Sequence, residues 1–262
     1  MKTILAILLL FVASCAIVPF TGRKQFTAIP VSQMVSLSAD SYSQVLKDNK
    51  LSQNQKYISS VRQVGSRLTA AVEKHMKANG MEASLEGYSW QFNVLASDQM
   101  NAWCMPGGQI AFYEGIMPVC ADDNGIAVVM GHEIAHAIAQ HGNERMSQQL
   151  VVQMGGMALS EALQSQKEST QQIALLAFGV GSTLGVELPY SRTHESEADE
   201  LGLYFMAMAG YDPRTAPAFW ERMQAQGSAR MPEFLSTHPE PVNRIKAINR
   251  HMMKAMGYYG KV

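Results

Sequence analysis

Cysteine is scarce in this chain, with three residues among 262, at positions 15, 104 and 120. The spacing of Cys104 and Cys120 fits no usual finger-type zinc motif. An excess of positive charge is also missing. Lysine plus arginine number 21 against 22 aspartate plus glutamate, with no basic stripe, so nucleic acid is not an expected partner. The chain carries neither an internal repeat nor a strong coiled-coil pattern, which sets aside repeat arrays and extended zippers. The apolar run near the N-terminus, Ile4–Val12, is too short to span a bilayer comfortably as a stable anchor. What remains after residues 1–14 is about 248 residues, compatible with one domain holding a sizeable core.

What is present begins with His132-Glu133-Ile134-Ala135-His136. Residues four apart share one face of a helix, so both imidazoles can reach one metal ion. Glu133 points towards the place of a metal-bound water. The preceding run, Gly125 to Gly131, is small and apolar and suits a buried helix that carries polar groups into a cleft. A five-residue pattern with two wildcards also occurs by chance, so the reading needs a third ligand.

Ser191-Arg192-Thr193-His194-Glu195-Ser196-Glu197-Ala198-Asp199 offers one. Two histidines, one glutamate and an open position form a known catalytic zinc set. Glu195 and Asp199 fall on one face of a second helix. Glu195 can bind the ion while Asp199 accepts the outer N–H of a ligating imidazole. Glu197 lies about 200° round that helix from Glu195, so only one of the two can face the metal. A solvated acidic helix start is the bland alternative. His141 follows one residue too early for the longer three-histidine pattern, and on a continuous helix it cannot share the ion.

With these residues in order, the chain resembles the HtpX and CAAX-prenyl-protease type of zinc metallopeptidases. The likeness is strongest to a soluble bacterial branch that includes LoiP-like lipoproteins and to Oma-type mitochondrial relatives. It rests on Asn101-Ala102-Trp103, Pro106-Gly107-Gly108, Gly131 to His136, Ser191-Arg192 with Glu195 to Asp199, and Ser236-Thr237-His238-Pro239 with Arg244 and Ile245. The resemblance implies zinc on His132, His136 and Glu195, catalysis by Glu133 and support from Asp199. His238 would then be a catalytic donor to the developing oxyanion, although a histidine before proline is ordinarily a turn residue. Arg244 is expected to brace Asp199 or a backbone carbonyl, with a plain surface role as the alternative. Asn101 is a candidate for holding substrate backbone, or only a turn residue.

The implied fold is α+β and mostly helical, a zincin-like (gluzincin) domain with a small sheet over residues 31–262. Apolar spacing at Ile58, Val61, Val64, Leu68 and Val72 predicts a long amphipathic helix, and Trp90, Phe92 and Val94 alternate as a strand. The H-E-x-x-H helix is expected over 122–141, with further helix over roughly 143–165. A segment rich in Gln, Ser, Thr and Gly covers 165–190, and the last helix covers 241–256. The strand Gly108–Tyr113, with Gly108 and Ile110, is expected at a sheet edge where extended peptide adds by backbone hydrogen bonds; an interior strand is the alternative. Phe178 to Leu188 reads equally as a flap, a membrane-touching loop or a plain connection.

Lys2, the short apolar core and Val12-Ala13-Ser14-Cys15 look like a lipoprotein signal over 1–14, cut before a lipidated Cys15. A tether over 15–30 would follow. Ala16 in place of a retention aspartate favours the outer membrane facing the periplasm. In that oxidising compartment Cys104 and Cys120 are expected to pair, two free thiols being the alternative. The function expected is a zinc-dependent endopeptidase acting on unfolded or damaged envelope proteins. It would need one Zn2+, protein or peptide substrates and a lipid-anchored membrane position. A non-catalytic lipoprotein with structural zinc, acting as chaperone or scaffold, is the rival, and hydrolysis of peptidoglycan peptides shares the same chemistry.

Overall fold

A computed structural model describes residues 15–227, 233–238 and 244–260. The proposed signal over 1–14, Pro239 and the expected start of the last helix at Pro241 lie outside the described residues.

Helix order follows local chemistry closely. Helix α1 is Val31–Asp48, and α2 is Gln55–Ala78, started by Asn54, whose side chain accepts from the Tyr57 N–H. Val61, Val64, Leu68, Val72 and Met76 all face the core from α2, as their spacing requires. Strand β3 (Gln91–Leu95) lies under it, and Gly65 lets the Phe92 ring approach the helix backbone. Strands β4 (Ala102–Met105) and β5 (Gln109–Tyr113) complete a three-stranded sheet in the order β3-β5-β4. The β3–β5 pair is parallel and the β4–β5 pair antiparallel.

This order corrects the edge-strand expectation. Residues 109–113 are the middle strand, paired on both sides, and the edge facing the catalytic-type helix is β4. Gly108 is buried in the turn that closes the β4–β5 hairpin, where a Cβ would strike the Trp90 ring. Ile110 is fully buried, and its carbonyl accepts from the Tyr42 hydroxyl. Neither is placed to meet a peptide.

After the short helix α3 (Met117–Cys120), helix α4 (Asp123–Ile138) runs through the centre of the molecule. Asp122 caps it by accepting from the Gly125 N–H at 2.9 Å. Every residue from Gly125 to Ile138 is buried, which explains a helix that is apolar nearly all round. It stops three residues earlier than its apolar pattern suggested. Gln140 adopts φ 55, a left-handed conformation, and the chain turns into α5 (His141–Ala162). Helix α6 (Glu168–Ser182) passes through a π turn at Thr183–Glu187 directly into α7 (Leu188–Met208). Phe178–Leu188, open from sequence to a flap, a membrane-touching loop or a plain connection, is therefore helix throughout. Glu168–Met208 is long and apolar enough, by length and composition, to cross a membrane. Met154 and Met157 on α5, Ile173 and Leu176 on α6, and Leu184 on the π turn are exposed.

Helices α4 and α7 cross at two glycines. A Cβ on Gly131 would lie 2.8 Å from the Gly202 carbonyl oxygen, and one on Gly202 would lie 2.9 Å from the His132 nitrogen. Backbone meets backbone here, and this contact brings the two motifs together. Helices α8 (Ala216–Gly227), α9 (Glu233–Thr237) and α10 (Arg244–Met256) close one side.

Residues expected as a tether instead begin with a hairpin, β1 (Cys15–Ile17) against β2 (Lys24–Phe26). Its turn is packed on the domain: Val18 is fully buried and the Phe20 ring meets Phe205 edge-on at 5.1 Å.

Candidate metal centre

His132 and His136 project from successive turns of α4, and their Nε2 atoms stand 3.0 Å apart. Helix α7 delivers Glu195, whose two oxygens lie 3.4 Å from the Nε2 atoms of His132 and His136. His238, at the end of α9, places Nδ1 at 3.3 Å from His132 Nε2 and 3.2 Å from Glu195 Oε1. All four donor atoms fall within 4.8 Å of one another, and all four residues are buried. Zinc bonds of about 2.0–2.2 Å in tetrahedral array put neighbouring donors roughly 3.3–3.6 Å apart, so the cluster has the dimensions of a small cation's coordination shell.

The protons make the same point. His132 Nδ1 is 3.0 Å from Asp199 Oδ1, which accepts a hydrogen bond from it. His136 Nδ1 is 2.9 Å from His141 Nδ1. With both Nδ1 atoms carrying hydrogen, two Nε2 lone pairs and the Glu195 carboxylate converge on one point beside His238 Nδ1. A bound cation would satisfy all of them at once.

Electrostatics favour positive charge at this point. Burial disfavours protonation of His132, but Asp199 and Glu195 outweigh it and hold its pKa up at about 9. Burial, aided by charge on His132 and His238, pushes His136 down to about 3. Burial would raise Glu195, yet the surrounding histidines hold it well below the carboxylate range. Asp199 is likewise depressed against its burial, chiefly by Arg244. Arg244 is itself buried, donates from Nε to Asp199 at 2.7 Å, and lies 3.6 Å over the Trp220 ring. Asp199 thus orients His132, and Arg244 orients Asp199.

Glu133 is in a different state from the other carboxylates. Its Oε1 is buried with no hydrogen-bond partner among the described residues, 3.5 Å from His238 Nε2. Burial raises its pKa despite the nearby histidines, and the backbone of Cys104 on edge strand β4 is a hydrogen-bonding neighbour. A buried carboxylate with an idle oxygen beside a cation site is poised to accept a proton.

The remaining sequence candidates fall elsewhere. Asn101 spends its side chain on the adjacent Ala102 N–H at 2.9 Å, which is the turn role. Cys104 and Cys120 are free thiols, against the expected bridge. Cys104 neighbours Glu133, whereas Cys120 packs on Gly125. Eight residues of helix are about 12 Å, beyond the reach of a disulfide. Cys15 opens β1. Sequence reasoning missed Trp220 and Phe234, which stacks on His238 at 4.6 Å, and it missed His141 as the partner of His136. A histidine five residues after the motif was the available signal. It was set aside because the helix was taken as continuous past Gln140.

Comparison with known proteins agrees with this geometry. The model for peptidase family M48 matches residues 62–252. Mitochondrial metalloendopeptidase OMA1 of Arabidopsis thaliana is 34% identical over 176 residues, 67% of this chain and 34% of that protein. The Schizosaccharomyces pombe protein of the same name is 28% identical over 240 residues, covering 91% of this chain and 66% of its own. The β-barrel assembly-enhancing protease of Escherichia coli is 28% identical over 162 residues, 60% of this chain and 33% of that one. The chain thus spans between one third and two thirds of these relatives. With the motif helix, Glu195 and His238 all inside the matched span, the chain belongs to peptidase family M48.

Proposed function

We propose that the chain is a zinc-dependent endopeptidase of the bacterial envelope, cutting unfolded or damaged proteins. The observation that carries this reading is the convergence of His132, His136 and Glu195 beside a Glu133 oxygen that has no partner among the described residues. Those three residues would hold the ion, and a bound zinc would polarise the scissile carbonyl and acidify water to a pKa of about 7.

The chain's own groups would do the rest. Glu133 takes the proton of the attacking water and returns it to the leaving amine. Asp199, held by Arg244, keeps His132 in the tautomer that leaves Nε2 free. Edge strand β4 receives the substrate in extended form, with backbone pairing that tolerates many sequences. His238 serves the developing oxyanion, and to do so it must give up its place among the donor atoms. A catalytic site needs that position open for substrate.

The zincin-like architecture, the LoiP-like lipoprotein affinity and the lipid anchor on Cys15 belong to this proposal. They are supported by the motif order, the apolar run ending in Val12-Ala13-Ser14-Cys15, and the exposed apolar faces of α5 and α6. An outer-membrane position facing the periplasm is supported by Ala16, which stands where an inner-membrane retention aspartate might be. One observation favours the rival. Four protein donors closing round one point resemble a structural site, as a scaffold lipoprotein would have.

Cleavage of casein by the purified zinc-loaded chain, set against Glu133→Gln, decides between them. Loss of cleavage with zinc retained supports the peptidase. Equal cleavage by both, or none by either with zinc bound, removes it. Radiolabelled palmitate incorporated by wild type but not by Cys15→Ala tests the anchor.

A further inference from the structure

Outside the donor cluster, a group of ionisable side chains, most of them buried, joins the N-terminal hairpin to the far side of His136. Arg23, in the strand-linking turn, donates from Nη1 and Nη2 to the two oxygens of Glu144 at 3.1 and 2.8 Å. Its Nε donates to Glu197 Oε2 at 2.9 Å, and the Thr21 hydroxyl donates to the other Glu197 oxygen. That same Oε2 lies 2.9 Å from His141 Nε2, and His141 Nδ1 meets His136 Nδ1. His194, bonded to Glu144 at 2.8 Å, stacks on the His141 ring at 4.3 Å. Glu144, Glu197, His141 and His194 are all buried.

The proton order along this chain is fixed by its ends. Glu197 can only accept, so His141 carries its hydrogen on Nε2 and offers a bare Nδ1. His136 must therefore donate from Nδ1, which frees Nε2 for the donor cluster. A single guanidinium compensates both buried carboxylates. Without it, Glu197 would lose the Nε bond that holds Oε2 against His141, and the order would be lost.

We propose that Arg23 and Thr21 make the N-terminal hairpin a positioning device for the metal centre, acting through Glu197 and His141 on His136. This rests on the zinc reading above. The arrangement mirrors Arg244–Asp199–His132 on the other ligand. One imidazole is set from helix α10 and the other from the turn between β1 and β2, so metal binding and docking of the hairpin are coupled.

The test is zinc affinity of the full chain, by chelator competition, with the visible spectrum of the Co2+-substituted protein as a second readout. Arg23→Gln and His141→Phe are each expected to weaken zinc binding 10- to 100-fold and to shift the Co2+ bands. Because both act through one chain, the double variant should lose little more than the worse single. Thr21→Ala, a milder change, should weaken binding several-fold and decides the matter should Arg23→Gln not fold. Lower thermal stability with unchanged zinc affinity and Co2+ spectrum would reduce Arg23 to a structural tie and overturn the proposal. Wild-type chain that takes up no zinc would overturn this proposal and the parent reading together, whereas wild-type binding with unaffected variants overturns this one alone.

Discussion

Replacing Gly202 with alanine should damage the centre without touching any of its ionisable groups. A Cβ there would stand 2.9 Å from the His132 nitrogen and 3.1 Å from both the Gly131 carbonyl carbon and the His132 Cα. Ordinary carbon contacts settle at about 3.5–4.0 Å, so α7 must retreat from α4 by roughly 0.5–1 Å. The obstacle is backbone, which cannot rotate aside. Overpacking of this kind costs about 1–3 kcal/mol. Glu195 and Asp199 ride on α7, while His132 and His136 ride on α4. Metal sites tolerate only about ±0.2 Å in their bonds, so zinc affinity should fall at least about tenfold. Urea unfolding would report the first effect and chelator competition the second. Gly179→Ala is the control: it lies within α6 with nothing within 4 Å of its would-be Cβ, and it should stabilise by up to about 1 kcal/mol. Zinc affinity and stability in Gly202→Ala both within twofold of wild type would refute the argument that this crossing sets the donor geometry.

Other substitutions divide binding from chemistry. Glu133→Gln should keep zinc and lose peptidase activity, whereas Glu195→Ala should lose zinc itself; atomic absorption on both variants checks this, and full occupancy in Glu195→Ala would contradict the ligand set. His238→Ala should keep zinc on three ligands and lower kcat by about 10²–10³, the usual cost of one oxyanion donor; higher activity would instead mark His238 as a residue that blocks the site. Glu144 titrates below its ordinary 4.5 because bonds from His194 and Arg23 outweigh its burial. Its contribution to stability is thus complete above that value and lost as pH falls through the depressed one. The stability gap between wild type and Glu144→Gln should be constant from pH 7 to 5 and narrow below; a gap that widens in acid would reverse the sign. Thiol titration of the unfolded, unreduced chain should find both Cys104 and Cys120 reactive.

Much of this centre is written in local periodicity. His132 and His136 share a helix face because they are four apart, and the same rule separates Glu195 from Glu197. The structure sends Glu195 to the donor cluster and Glu197 to Arg23 and His141. The amphipathic spacing of α2 likewise carried through, and β3 formed where a strand was expected, although its burial deepens along Gln91–Leu95 and does not alternate. Failures arose wherever the answer depended on partners distant in the chain. Residues 109–113 have the apolar content of a strand, but nothing local states that both its neighbours exist. His141 was excluded on a continuous helix, and one left-handed residue, Gln140, returned it to His136.

Short-range sequence therefore determined which side chains present donor atoms and on which faces, since helical period is a property of the backbone itself. Tertiary structure alone decided where those faces meet. Two bare glycines allow α4 and α7 to touch, the sheet takes its strand order from what packs against it, and Arg23 finds two carboxylates that no periodicity could have linked to it. Such contacts are chosen by burial and charge compensation across the folded whole, and those forces act only once the chain has closed upon itself.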